Sequence, residues 1–375
     1  MNNDALMQYR KALFARCQSF NGHPPQKPAA FYEMLAHWCR DHEVDFDRYG
    51  VGTLNRTFEA KIAALLGFEA GRFMPSGTMA QGIAMKIWSD RAHSPHIGFH
   101  PTAHQENYEY RGYTHLYNLK ATLVGTARSP LLDRHLEAVP EQLAALQVEL
   151  PLRDAGGLLP SWEELEALKR TAHDRGIRLH LDGARLWECA AWYERDYTTI
   201  CEGFDSCYVS FYKGIGAPAG SMLLGTKTFI EQAKVWQKRC GGNLHTQTGN
   251  VASAAMLFET RIVKMPAYYA RACTLAETLR KVEGLRLVPE RPQVNLFHIY
   301  LPLPPDIALR ARDQVAEETS VFLFTWIRPA QVPGFSTFEL YVGDKALAVD
   351  DTTIEAAFER LLEVGNHLLH GEEGS

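Results

Sequence analysis

The 375 residues predict an α/β fold: a large domain with a mostly parallel sheet between helices, followed by a smaller α+β C-terminal domain. Three observations carry this. Through the middle of the chain, stretches of helical period alternate with stretches of strand period, as in repeated strand–crossover units. After about residue 265 the pattern changes to a helix, two apolar strands and a last helix. And 375 residues exceed what one hydrophobic core usually organises, so two lobes are expected.

The elements follow in order. Arg56 to Leu66 puts Phe58, Ile62, Leu65 and Leu66 on one helical face, and Gly67 stops the helix. Ser76-Gly77-Thr78 precedes an apolar-periodic helix from Met79 to Trp88. Ser161-Trp-Glu-Glu164 is a capping box opening a helix to about Asp174, with Gly176 beyond it. Ile177-Arg-Leu-His-Leu181 alternates apolar and polar residues and predicts a strand, with Asp182 the first residue past its end. Cys207–Phe211 predicts a second strand, and Lys213 follows in a loop with Gly214, Gly216 and Pro218. Thr228-Phe-Ile-Glu231 and Thr352-Thr-Ile-Glu355 suggest two more capping boxes. In the smaller domain a helix near Ala270–Val282 precedes strands at Leu285–Val288 and Val294–Leu301.

Composition excludes several classes of function. With 46% hydrophobic and 22% charged residues, the chain has an ordinary globular composition. A net charge of −5 and the lack of any basic run argue against a nucleic-acid partner. No apolar run is long enough for a bilayer, so no membrane partner is expected. Met1-Asn-Asn-Asp lacks a charged region followed by an apolar one, so no signal peptide is expected. Seven cysteines at scattered positions, with no Cys-x-x-Cys pair, suggest reduced thiols in a cytoplasm and no metal site.

Asp182 and Lys213 are the candidates for chemistry. Alone, a strand-end aspartate is often a cap, and a loop lysine is usually solvated. Together they stand outside the carboxyl ends of successive strands, where open α/β sheets bind ligands. A pyridoxal 5'-phosphate (PLP) enzyme needs such a pair: a lysine for the Schiff base and an acid for the ring nitrogen. The helix start at Ser76, Gly77 and Thr78 offers free N–H groups and hydroxyls to a phosphate, or else Ser76 or Thr78 is simply the N-cap.

The segments His180-Leu-Asp-Gly-Ala-Arg185, Lys213-Gly-Ile-Gly-Ala-Pro-Ala-Gly220 and Pro75-Ser-Gly-Thr78-Met-Ala80 resemble those of the threonine aldolase group of PLP enzymes, within the β-eliminating lyase superfamily. Tyr212 stands where that family has serine. The resemblance spans roughly residues 45 to 260. It implies PLP fold type I, with a sheet of the seven-stranded type, a large domain over 21–265 and a small domain from 1–20 with 266–375. It implies catalytic roles for Lys213, Asp182 and His104, the last stacked on the ring. It implies cofactor contacts from Ser76, Gly77, Thr78, His104, Asp182, Arg185 and Lys213, and from Lys238 across a homodimer or homotetramer interface. Substrate contacts fall to Arg185, Arg328 and Tyr49.

Departures fall in the substrate half. The family's Glu-Asn-Thr-His becomes Glu149-Leu-Pro-Leu152, so Leu152 replaces a histidine that handles the substrate hydroxyl, with Arg153 or Asp154 as neighbours able to substitute. Glu339 stands near the expected carboxylate-binding arginine, and Arg328 is a replacement. A family phosphate contact falls on His245. The expected reaction is cleavage of a β-hydroxy-α-amino acid to glycine and an aldehyde. The alternatives are PLP-dependent β-elimination from another amino acid, and a non-catalytic PLP-fold binding protein. An apolar wall at Leu152 would favour substrates bulkier than threonine.

Overall fold

Seven strands form one sheet in a computed structural model that describes residues 3–373. In chain order the strands are β1 (Gln18–Ser19), β2 (Ala70–Met74), β3 (His96–Phe99), β4 (Lys120–Leu123), β5 (Ala145–Glu149), β6 (Arg178–Gly183), β7 (Ser206–Ser210), β8 (Ser221–Gly225), β9 (Arg286–Val288), β10 (Leu296–Leu301), β11 (Val321–Phe322), β12 (Arg328–Pro329) and β13 (Ser336–Tyr341). The chain divides into a large unit, Gln26–Asp154 with Leu158–Met265, and a small unit. The small unit comprises the residues up to Pro25, Ala155–Gly157 and those from Pro266.

The large-unit sheet runs β2-β8-β7-β6-β5-β3-β4. Strands β7, β6, β5, β3 and β4 are mutually parallel, while β8 is antiparallel to both β7 and β2. The reversal has a simple cause. The short connection 211–220 carries no crossover helix, so β8 returns directly alongside β7. Strands β7 and β8 are buried at every residue, as expected of strands covered on both faces. Helix Gly77–Ala92 lies on the sheet with Ala80, Ile83, Ala84 and Ile87 buried, and its Trp88 Nε1 donates to Ser206 Oγ of β7 at 2.8 Å.

Some expected boundaries shift. Strand β6 extends through Gly183, so Asp182 lies inside the strand and not beyond it, because its backbone pairs with both neighbouring strands. The helix from Gly77 to Ala92 starts earlier and ends later than its apolar period suggested, with Ser76 as N-cap. The box at Ser161 and Glu164 forms. At the next helix the cap is Thr226, which accepts from Phe229 N, and Thr228 falls in the first turn. At the last helix Asp350 accepts from Thr353 N, so the cap lies two residues before Thr352. In both cases a better-placed oxygen two positions upstream takes the exposed N–H.

The small unit holds an antiparallel sheet of order β12-β13-β10-β9, and β1 pairs in parallel with β11. The helix near 270–282 runs from Met265 to Leu279. N-terminal helix Asn3–Arg16 packs in this unit through Leu13 against Ala316 and Phe322, and Arg10 Nε binds Asp313 Oδ2 at 2.7 Å.

Candidate active site

Three side chains share one register line across the parallel strands: Glu149 on β5, Asp182 on β6 and Tyr208 on β7. Residues in register on parallel strands point to the same face, so this row faces one space at the carboxyl end of the sheet. The row beneath is Gln147, His180 and Ser206. His180 is buried, its imidazole pushed down to about 3 by burial, and its Nδ1 lies 2.9 Å from Ser206 Oγ. It is part of the floor.

Asp182 is buried and held from several directions. Its Oδ1 accepts from Ala184 N and its Oδ2 from Gln147 Nε2, each at 3.1 Å. The Gln147 amide is fixed in turn by reciprocal bonds with Gln105. Burial raises the Asp182 pKa, opposed by the charge of Lys213 and the Ala184 N–H. For Lys213 the same burial pulls the ammonium below its usual range, against the pull of Asp182. A lysine with weakened hold on its proton is the better nucleophile. Glu149 is partly buried, accepts from Arg153 N at 3.2 Å, and is pushed up to about 8 by burial first and then by the Asp182 charge.

These groups line a cavity of about 260 Å³ with His104, Arg153 and Arg185. Hollows of about 410 and 580 Å³ open elsewhere on the large unit. Their ion pairs, Lys61–Glu259 and Arg178–Asp205, are open to solvent, so neither concentrates perturbed groups. Among the described residues no cluster of three or more His, Cys, Asp or Glu could hold a metal, and the seven cysteines are free thiols.

The start of helix Gly77–Ala92 meets Tyr208. Ser76 Oγ accepts from Met79 N at 3.3 Å and so is the N-cap, while Thr78 is exposed. Gly77 is buried, and a Cβ there would fall 2.1 Å from Tyr208 Oη and 2.7 Å from Tyr212 Oη. The two tyrosine hydroxyls are 2.8 Å apart. Only glycine admits this approach, which gathers two hydroxyls and the first backbone N–H groups of a long helix at its positive end. The residues present therefore fit PLP: an anion seat at Gly77, a buried carboxylate for the ring nitrogen and a lysine of reduced basicity.

The other predicted residues divide. His104 opens helix His104–Asn107 at the cavity, with Nδ1 2.8 Å from Glu109 Oε1. Arg185 lines the cavity and its Nη1 lies 3.2 Å from Glu188 Oε1. Tyr49 is on a surface loop of the large unit, edge-on to His245 at 5.3 Å between ring centroids. Buried Arg72 fixes that loop by donating to the carbonyls of Tyr49 and Gly50. Lys238 is exposed in the last turn of helix Lys227–Arg239. Arg328 is exposed on β12 of the small unit, and Glu339 Oε2 on β13 lies 4.0 Å from His298 Nε2.

Leu152 does not form the expected apolar wall. It is 2% exposed and its backbone bridges to Leu158, whereas its neighbours Pro151 and Arg153 line the cavity. Glu149, Gln147 and Tyr208 were not foreseen as site residues. The alternation Ala145-Leu-Gln-Val-Glu149 marks Gln147 and Glu149 as one face of a strand, and Tyr208 alternates likewise with Ser210. The sequence does not show that these faces meet.

The beta-eliminating lyase family model matches residues 31–301. A provisionally assigned L-allo-threonine aldolase from Listeria monocytogenes is 36% identical, with a TM-score of 0.89 over 96% of this chain and 99% of its own. A structure from an Exiguobacterium species, provisionally assigned as an aromatic amino acid beta-eliminating lyase/threonine aldolase, is 35% identical with a TM-score of 0.88 over 95% and 99%. Low-specificity L-threonine aldolase 1 of Arabidopsis thaliana is 29% identical over 68% of this chain and 74% of its own. By sequence and by fold type I architecture, the chain belongs to the beta-eliminating lyase family.

Proposed function

We propose that this protein is a PLP-dependent lyase that cleaves a β-hydroxy-α-amino acid to glycine and an aldehyde, as a threonine aldolase does. One observation carries the reading: Lys213, its ammonium destabilised by burial, faces Asp182 at the carboxyl end of the central strands. The names of the similar proteins support the aldol outcome.

When bound, PLP would supply an electron sink for the pair released at the substrate α-carbon. Asp182 would face the ring nitrogen, with Ala184 N and Gln147 holding its carboxylate in place. Gly77, the Ser76 and Thr78 backbone and hydroxyls, and Tyr212 would seat the phosphate. Lys213 would anchor the cofactor and exchange a proton at the α-carbon. Arg185 would take the substrate carboxylate through its planar fork, with Tyr49 as a further substrate contact. His104 would stack on the ring. With Nδ1 held by Glu109, its Nε2 is the atom that would accept the β-hydroxyl proton.

The reading extends to a cytoplasmic homodimer or homotetramer, in which exposed Lys238 reaches the partner's phosphate seat. No described helix is long and apolar enough to cross a membrane. The test is product analysis on purified, PLP-loaded protein given threonine, allo-threonine and phenylserine. Glycine and the matching aldehyde in equal amounts support the reading. A keto acid with ammonia contradicts it.

A further inference from the structure

The in-register row has two flanks, and the proposed function uses only one. On the β7 flank of Asp182 are Tyr208, Tyr212 and Gly77, the seat for an anion. On the β5 flank is Glu149. In a pyridoxal ring, the carbon bearing the phosphate arm and the carbon bearing the 3-oxygen lie on opposite sides of the line from the ring nitrogen to the aldehyde carbon. With the nitrogen at Asp182, the aldehyde carbon at Lys213 and the phosphate at Gly77, the 3-oxygen faces β5.

We propose that Glu149 keeps its carboxyl proton and donates it as a hydrogen bond to the 3-oxygen of the cofactor. This rests on the reading that the cavity takes PLP. The groups facing Glu149 are Asp182 from β6, Lys213 from the loop after β7, and Arg153 and Asp154 from its own turn, with Arg185 and His104 across the cavity. Two carboxyls side by side out of bulk water do not both ionise readily. Asp182 is the one stabilised as an anion, by Ala184 N, Gln147 and Lys213. That leaves the proton with Glu149, consistent with its raised pKa. A neutral donor suits a ring oxygen that carries negative charge, whereas a second carboxylate would repel it.

The hydrogen bond has a spectroscopic consequence. A donor to the 3-oxygen anion weakens that oxygen's hold on the proton of the Lys213–cofactor linkage. Visible absorbance of the holoprotein, titrated with pH, reads that proton directly. Glu149→Leu should raise the linkage pKa by about one unit, a tenfold change, as for loss of one hydrogen bond to a charged group. Glu149→Gln keeps an N–H donor of the same reach and should leave it within about 0.3 unit. A fall of about one unit in the Gln variant would show that Glu149 is ionised against the ring and would overturn the proposal. So would two variants that both titrate like the wild type. A wild-type protein with no visible band would overturn the cofactor reading itself, and this proposal with it.

Discussion

Glu149 and Asp182 lie directly opposite one another across the parallel pair β5–β6, side chains on one face, with Lys213 close enough to oppose the burial of both. Two carboxyls and one amine out of bulk water cannot all be charged at low cost. Their unequal hydrogen bonding decides which are.

Asp182→Asn keeps the size of the side chain, and its oxygen can still accept from Ala184 N. It removes the negative charge that would hold a proton on the ring nitrogen. Cleavage should fall at least about a hundredfold, as when a preorganised electrostatic partner is deleted. Circular dichroism should be unchanged. Near-normal turnover in the variant would show that another group serves the ring nitrogen.

Gly77→Ala should act on the cofactor and not on the chemistry. The new methyl would fall 2.1 Å from Tyr208 Oη, so the helix start and the tyrosine pair must separate. PLP affinity should weaken about tenfold or more, equivalent to losing roughly 1.4 kcal/mol. Fluorescence titration of apoprotein with PLP measures this. Unchanged affinity would mean that the phosphate binds elsewhere.

The contrast between Gly77 and Leu152 shows how far sequence could reach. Asp182 near the end of β6, Lys213 in the loop after β7 and the Ser76–Thr78 helix start are legible because local pattern marks where strands run out and helices begin. For Leu152 the sequence offers only its distance along a motif. The turn after Glu149 contains Pro151, and its bridge to Leu158 directs Leu152 inward and leaves Arg153 at the cavity. Glu149 is visible in the sequence as a motif match, but its role is not, for the reverse reason. Its chemistry comes from a neighbouring strand, and strand order is not written locally. The same holds for Gln105 and Gln147, which are 42 positions apart yet bonded to each other.

Leu152→His should therefore not improve threonine cleavage. It places a larger, polar ring at a buried position and should destabilise the protein by about 1–3 kcal/mol. Thermal melting would show a drop of several degrees. A variant as stable as the wild type with faster threonine cleavage would put position 152 back in the substrate pocket.

Glu149 should also shape stability against pH in the apoprotein. Its folded-state pKa, about 8, lies above the ordinary glutamate value near ~4.3. Folding then favours the protonated form. Its contribution is fully present below pH ~4.3 and is lost as pH rises through about 8. Glu149→Gln cannot ionise, so its melting temperature relative to wild type should climb between about pH 5 and pH 8. Parallel melting curves across that range would show that Glu149 ionises as freely folded as unfolded.

The central claim is that Lys213 anchors PLP in this cavity, and borohydride reduction followed by peptide mapping tests it most directly. The holoprotein should lose its visible band on reduction, and the pyridoxyl mass should appear on the peptide containing Lys213. Lys213→Ala should carry no label. Label on any other lysine, or a wild-type protein that takes up no PLP, would contradict the account.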